Sequence, residues 1–423
     1  MKKFVLPLLS GFIFFGLTVV NASLANAQAL DSSFGAGGKV EANFGVSVAP
    51  SDATLQPDGK IVVVGTTDNF QIANQVFGVT RFLPNGSLDT TFGNRGATLL
   101  AFTNFINTPN AVAIQPDGKI VVAGETQSSD GSINRFAIAR FNPTGSLDTT
   151  FGSAGKVMPE FFSVTFGGVR EAADVILLQP DNKIIVAGIA VQGARLPAKS
   201  ALVRLNSNGT LDQTFGNGGT VAINAIGLVT ALALLSNGQI LVLNNVGGIA
   251  QFNSNGTLAP SVTSGTIVAT ANNGVSAFES NGRFVIAGGA AGITRRDIDV
   301  TVISFTPTGS IDHTFNSPVF DFGQENTISS DLAQVVAIQP DGKIVVGGLL
   351  FNNSGSVFGL GRLNTNGSLD STFGNGGVLT TRFEGSDQVS SILIQPDGKI
   401  LAIGQAFDSS TGQGNLALAR YLP

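Results

Sequence analysis

One hairpin, written again and again, limits what this chain can become. Gln115-Pro116-Asp117-Gly118-Lys119-Ile120-Val121-Val122-Ala123-Gly124 is a whole copy, and whole or worn copies also begin at Gln56, Gln179, Leu235, Glu279, Gln339 and Gln395. A short polar turn ending in Gly between two apolar runs is the local signature of a tight β-hairpin. A chain that repeats one such unit every 44 to 64 residues folds as a repeat architecture, each unit burying its apolar faces against its neighbours.

A second motif alternates with the first. Arg140-Phe141-Asn142-Pro143-Thr144-Gly145-Ser146-Leu147-Asp148-Thr149-Thr150-Phe151-Gly152 recurs from Arg81, Arg204 and Arg362, and in degraded form from Gln251 and Ser304. One unit thus offers four strands in the order Ala111–Gln115, Lys119–Gly124, Phe136–Asn142 and Lys156–Phe161. They are rich in Ile, Val, Phe and Thr, as strands prefer. The first two are apolar on both faces, which suits inner strands of stacked sheets. Four-stranded antiparallel units repeated radially make a β-propeller. The expected fold is therefore all-β, a seven-bladed propeller.

The two ends of the chain complement each other. The last copy of the third strand, Leu416 to Tyr421, has no fourth strand after it, whereas Leu30-Asp31-Ser32-Ser33-Phe34-Gly35 followed by Lys39 to Phe44 is a fourth-strand unit with nothing before it. The N-terminal strand is expected to join the C-terminal blade and close the ring. An open solenoid would leave an unfinished sheet at each end. Residues 28–423 read as one domain, with 28–44 completing the last blade.

The recurring polar residues read first as structure. Asp-Gly in the hairpin serves a corner of positive φ. Arg in the third strand (Arg81, Arg140, Arg204, Arg362, Arg420) and Asp in the following turn (Asp31, Asp89, Asp148, Asp212, Asp312, Asp370) read as an Arg–carboxylate bracket inside each blade. Ring closure would pair Arg420 with Asp31. The fourth blade loses both partners, to Gln251 and Ala259, and the fifth keeps only the Asp. An enzyme has no use for the same pair five times around a ring.

Together the hairpin motif and Leu-Asp-x-Thr-Phe-Gly resemble the delta-60 repeat family of exported bacterial proteins and, more distantly, NHL-type propeller blades. The resemblance covers nearly everything after the first 27 residues. It implies a propeller-like repeat and a surface or extracellular setting, and it implies no defined activity or catalytic residue.

Composition narrows the function. Lys2 and Lys3, the apolar run Phe4 to Val20 and the small-x-small site Ala25-Asn26-Ala27 form a secretory signal peptide over residues 1–27. The run is short for a membrane span and is broken by Pro7 and Gly11. Removing it takes the net charge from −5 to −7, and an acid excess argues against nucleic-acid binding. The mature protein is expected to be secreted, without a membrane span, and monomeric. There are no Cys, and His313 is the only histidine. Thiolate chemistry is therefore excluded, and a Ser-His-Asp triad has a single candidate base. Ile328-Ser329-Ser330-Asp331 lacks the glycines of a nucleophile elbow.

Chain order puts the uniform turns on one face and the variable second-to-third and blade-to-blade loops on the other, where binding sites usually lie. Eight positions before the hairpin stand Asn107, Glu171, Asp331 and Asp387, against Val48, Gly227 and Ala271. With Arg170, Arg295, Arg296 and Asp297 they form the candidate ligand-binding set at the channel mouth. Glu171, Asp331 and Asp387 could hold a hard cation such as Ca²⁺, or be solvated loop ends; no other cofactor is expected. Two functions compete: a noncatalytic scaffold binding a glycan or an extracellular protein, and a metal-assisted hydrolase of the gluconolactonase-like propeller kind.

Overall fold

The computed structural model describes residues 30–423 except 45, 70–73, 103–105, 163–167, 194–197, 225–227, 246–247, 260–271, 280–281, 292–297, 308–309, 323–329, 353–354, 384 and 409. The expected signal segment lies outside the described residues. Seven antiparallel sheets form the expected seven-bladed β-propeller. The innermost strands are Val48–Leu55, Asn107–Ile114, Val169–Leu178, Val229–Leu234, Asn272–Phe278, Ser330–Ile338 and Ser386–Ile394. Each abuts the next, and the last returns to the first. Blades four and five have three named strands each among the described residues. In blade five Phe320 takes the fourth-strand place through a bridge to Val300.

Blade two shows how the motif builds a sheet. Its strands are Asn107–Ile114, Ile120–Gln127, Asn134–Phe141 and Lys156–Val157. The hairpin is a turn over Pro116-Asp117 followed by Gly118 at φ 82°, which closes with Gly118 N–H to Gln115 C=O (2.8 Å) and Gln115 N–H to Lys119 C=O (2.8 Å). Only glycine takes that left-handed corner without cost. The inner strand begins four residues earlier than its apolar pattern announces, because a β-bulge at Asn110 interrupts the register and shifts the alternation by one. The outer strand is shorter than expected, since Pro159 has no N–H to continue a ladder.

The bulge recurs in every blade, at a position filled by Ser51, Asn110, Asp174, Thr230, Gln334 or Ser390 where side chains are described. It also explains the glycine that ends the motif. A Cβ on Gly124 would lie 2.0 Å from the Thr108 carbonyl oxygen, and one on Gly188 or Gly404 would lie 1.9 Å from Ala172 or Gln388. In these blades the bulged inner strand and the second strand approach too closely for any side chain, whereas blade four accommodates Asn244 at the same position.

The Arg–carboxylate bracket exists and does more than join two charges. Arg140 Nε donates to Asp148 Oδ2 at 2.8 Å, the guanidinium lies over the Phe151 ring (4.4 Å to the centroid), and another nitrogen donates to the Ser207 carbonyl of blade three. Arg81 repeats this with Asp89 and Pro143, and Arg204 with Asp212 and Ser254. Lys119, from the hairpin, shares the same carboxylate at 3.2 Å. The other Asp148 oxygen accepts the amide and hydroxyl of Thr150. Arg140 and Asp148 are both buried.

At the ring closure Lys39–Ala42 pairs antiparallel with Gln413–Tyr421, and Arg420 donates to Asp31 at 2.9 Å and to the Pro84 carbonyl of blade one at 2.6 Å. In blade five the arginine has moved rather than vanished. Arg283, at the hairpin lysine position, reaches Asp312 (3.9 Å), lies over Phe315 (5.2 Å) and donates to the Thr365 carbonyl of blade six (3.2 Å). In blade four a neutral relay replaces the bracket: Gln251 donates to Gln239 (2.6 Å), and Gln239 to Asn253 (3.1 Å).

Removing residues 28–44 should lower the melting temperature of the whole protein and leave the last blade with an open edge prone to aggregation. Unchanged melting of the truncated protein would mean that closure contributes nothing. Arg140→Ala and Asp148→Ala should each cost about 3 kcal/mol, because each strands a buried charge. In a double-mutant cycle they should couple by at least about 1 kcal/mol, and strict additivity would sink the pairing. Burial raises the Asp148 pKa, but Thr150, Lys119 and Arg140 outweigh it and hold the carboxyl at about 2. The folded value lies below the unfolded one, so this stabilisation is present above about pH 4 and lost as pH falls towards 2. The stability gap between wild type and Asp148→Asn, followed by urea unfolding, should shrink over that range.

Candidate functional site

The four residues that stand eight positions before the hairpin do not project into solvent. Asn107, Glu171, Asp331 and Asp387 are all 0 % exposed, and each performs the same local task. Its side-chain oxygen accepts a backbone N–H from the phenylalanine loop of the preceding blade: Phe102 to Asn107 (3.0 Å), Phe161 to Glu171 (3.2 Å), Phe322 to Asp331 (2.6 Å) and Phe383 to Asp387 (2.8 Å). Neither solvated loop ends nor one converging cluster, they are pins at separate seams between blades. The pinned phenylalanines pack on their own blades, as in Phe77–Phe102 and Phe136–Phe161, with centroids 5.1 and 4.9 Å apart. At two seams a lysine from the next blade completes the clamp. Lys156 donates to the Ala101 carbonyl and lies over Phe102, and Lys39 does the same to Arg382 and Phe383.

Asn107 can carry this task without charge, so the acids elsewhere are held buried at an electrostatic penalty. Burial pushes the Glu171 carboxyl up, against Arg135 at 3.0 Å and the Phe161 amide. Burial likewise raises Asp387, opposed by the Phe383 amide, and raises Asp331, opposed by the Phe322 amide and reinforced by Asp321 and Asp299. Arg170 is exposed on the inner strand of blade three. Arg295, Arg296 and Asp297 lie outside the described residues. Among the described residues no three His, Cys, Asp or Glu side chains are gathered so as to hold a metal ion. His313 is exposed in the fifth-blade turn, on the uniform face.

Two acids on the axis were not singled out by the sequence. Asp52 accepts Val112 N–H of blade two (3.0 Å) and the Ser391 hydroxyl of blade seven (3.2 Å), tying three blades together. Burial pushes it up to about 6 against these bonds. Burial and the nearby Glu125 raise Asp174 to about 7 despite Arg170. The available signal was a polar residue just before the apolar half of the inner strand.

The two faces differ in what they expose. Strand direction places Ile106, Leu228 and Leu332 at starts of inner strands, Phe351 and Phe407 at ends of second strands, Ile298 at the start of a third, and Leu99 and Met158 at ends of fourth strands. All eight lie on the variable face, and all are more than a third exposed, Phe351 reaching 58 %. The uniform face exposes fewer, Leu258 (58 %), Ile311 and Leu422, and its hairpin turns carry charge pairs such as Lys60–Asp58 and Lys399–Asp397, each at 2.9 Å.

Comparison with known proteins agrees with a repeat propeller. Residues 56–92, 115–151, 179–215, 339–373 and 395–423 match the beta-propeller described as a domain of unknown function, DUF5122. The chain is a β-propeller repeat protein, five segments of which are similar to that family's repeats. No curated protein matches the sequence significantly. Similar solved structures include YCF48 bound to D1 peptide (11 % identity, TM-score 0.47, 94 % of this chain and 100 % of that one). They also include the polysaccharide lyase Uly1 (10 %, 0.47, 88 % and 89 %) and the beta-propeller domain of the Trilobed protease from Pyrococcus furiosus (10 %, 0.43, 89 % and 93 %). Their similarity says nothing of the chemistry of this chain.

Asp387→Asn should leave the melting temperature unchanged or raise it, since Asn107 shows that an amide oxygen can serve as the pin. Asp387→Ala should cost about 1–3 kcal/mol by leaving the Phe383 amide without its acceptor. Thermal melts with Ca²⁺ and with EDTA check the alternative, because a cation held by Asp387 would make wild type, and not Asp387→Asn, respond to the metal.

Proposed function

We propose that this protein is an exported, noncatalytic propeller that binds another protein through its variable face. The observation that carries the reading is the division of the surface. Eight large apolar side chains stand exposed at strand ends on one face, where folding does not require them, against three (Leu258, Ile311 and Leu422) on the opposite face, whose hairpin turns carry charge pairs. Exposed apolar side chains gathered on one side of a soluble fold mark an interaction surface. A protein fits better than a glycan, because the chain has no Trp and its one Tyr is buried, leaving Phe351 and Phe407 as the exposed rings among the described residues. The signal-like first 27 residues support an extracellular or periplasmic setting. Glu171, Asp331 and Asp387 sit on separate blades beneath loops, and no observation favours the hydrolase reading.

A photoreactive residue placed at position 351 should form a covalent adduct with a protein of the exported fraction, and one placed at 117 in the hairpin turns should not. Adducts formed at 117 alone would reverse the assignment of the faces. Phe351→Ser with Phe407→Ser should remove the adduct formed from a probe at 332 while leaving the melting temperature within about 2 °C, as expected of exposed positions.

A further inference from the structure

The seam between blades seven and one is unlike its neighbours. It lacks three parts that close other seams. Val48 stands where Asn107 or Asp387 supplies a side-chain acceptor for the preceding loop. Ala97 stands where Lys39 and Lys156 clamp a phenylalanine. Leu416 stands where Phe77, Phe136 and Phe358 fill the space beneath that loop. Blade one also presents Gly78. At the matching place in blade six a Cβ on Gly359 would lie 2.5 Å from the Phe322 ring, whereas the atoms nearest a Cβ on Gly78 belong to its own blade.

The result is a cleft of ≈ 1120 Å³. It runs from the inner strand of blade one (Val48, Pro50) across the second and third strands (Thr67, Thr80) to the outermost strand (Leu99) and on to Leu147 of blade two, with Phe44 and Leu416 on the blade-seven side. None of its lining residues is charged. One buried polar group in it lacks a partner. Thr67 is 4 % exposed and its hydroxyl makes no hydrogen bond among the described residues. The equivalent Thr126 donates to Asn107 at 2.9 Å. Val48 took that acceptor away, and a buried hydroxyl left unpaired is destabilising.

We infer that this seam is a binding site for an extended peptide segment with uncharged, largely aliphatic side chains, one polar group of which pairs with Thr67. Neutral walls match a neutral occupant, because a charge buried here would meet no counter-charge. The volume exceeds the range of about 300–1,000 Å³ usual for single small molecules. Crossing four strands makes the cleft about 14 Å long, the reach of about four extended residues. Among the described residues Phe44 is the one aromatic ring in the lining, too few for a sugar chain. The inference goes beyond the variable-face reading and, Leu99 apart, stands on different residues.

The test is an array of acetylated, amidated hexapeptides built from Ala, Val, Leu, Pro, Ser and Thr, with matched peptides carrying Lys or Glu, read by fluorescence polarisation. Neutral peptides should bind and charged ones should not. Val48→Asn with Leu416→Phe restores the parts found at other seams. It should raise the melting temperature and weaken binding at least about 10-fold, a loss of about 1.4 kcal/mol. If that pair of changes impairs folding, Ala97→Lys replaces it with the same expectation. Thr67→Val should weaken binding without lowering stability, since it removes an unsatisfied group, whereas Phe351→Ser should leave peptide binding intact. The inference is overturned if no neutral peptide binds, if binding survives filling of the seam, or if neutral oligosaccharides bind instead and are lost in the filled variant.

Discussion

The ring rests on an arginine that faces three ways. Arg140 bonds the carboxylate of its own turn, covers the phenylalanine of that turn and donates to a carbonyl of the next blade. Because one planar group meets all three, the turn, the blade core and the seam form or fail together. Arginine suits the place because its rigid fork and flat face can be used at once, which the point charge of lysine cannot do. Lysine has the complementary post in the hairpin, where it shares the carboxylate from the solvent side. The aspartate is thus fully engaged, one oxygen with cations and the other with the Thr or Ser two residues on. A buried charge is tolerable under such pairing and expensive without it.

Seams differ more than blades do. Within a blade the bulge, the bare glycine opposite it and the turn glycine are dictated by backbone geometry, and they recur with little variation. Between blades the fit depends on side chains that need only fill space and satisfy one amide, so substitution is freer. Asn, Glu and Asp all serve as the pin, and an arginine relocated to Arg283 still reaches the next blade. Blade four manages with a chain of amides, Gln251 to Gln239 to Asn253. At the closing seam the departures point in one direction, towards smaller and less polar side chains, and leave a hollow beside the bonds that Gln405 and Gly414 still make to Val48 and Ser47.

The charge pairs and most of the exposed apolar side chains are therefore separated in space. The turns that repeat most faithfully carry the charge pairs, and the strand ends at the other face carry exposed Leu, Ile, Met and Phe. Raised carboxyls lie along the axis and under the loops, at Asp52, Asp174 and the pins, where desolvation rather than chemistry sets their titration. They report on burial and do not by themselves assemble a reaction centre.

Much of this was legible in the sequence, because a repeat writes its geometry many times. The hairpin spacing, the apolar strands and the complementary ends determined a seven-bladed ring closed by its first strand, and the joint recurrence of Arg and Asp determined the bracket, down to Arg420 with Asp31. Local backbone needs are encoded locally, and repetition averages out the noise. Tertiary structure alone decided the fate of Asn107, Glu171, Asp331 and Asp387, since a polar residue at a strand start looks the same whether it meets water or a neighbouring blade's amide. It alone showed Arg283 replacing an absent partner, because the substitute comes from another strand. The hollow beside Thr67 also belongs to the assembled ring: Val48, Ala97 and Leu416 are ordinary residues in sequence, 319 positions apart between the second and the third, and only closure brings their three small deficits to the same seam.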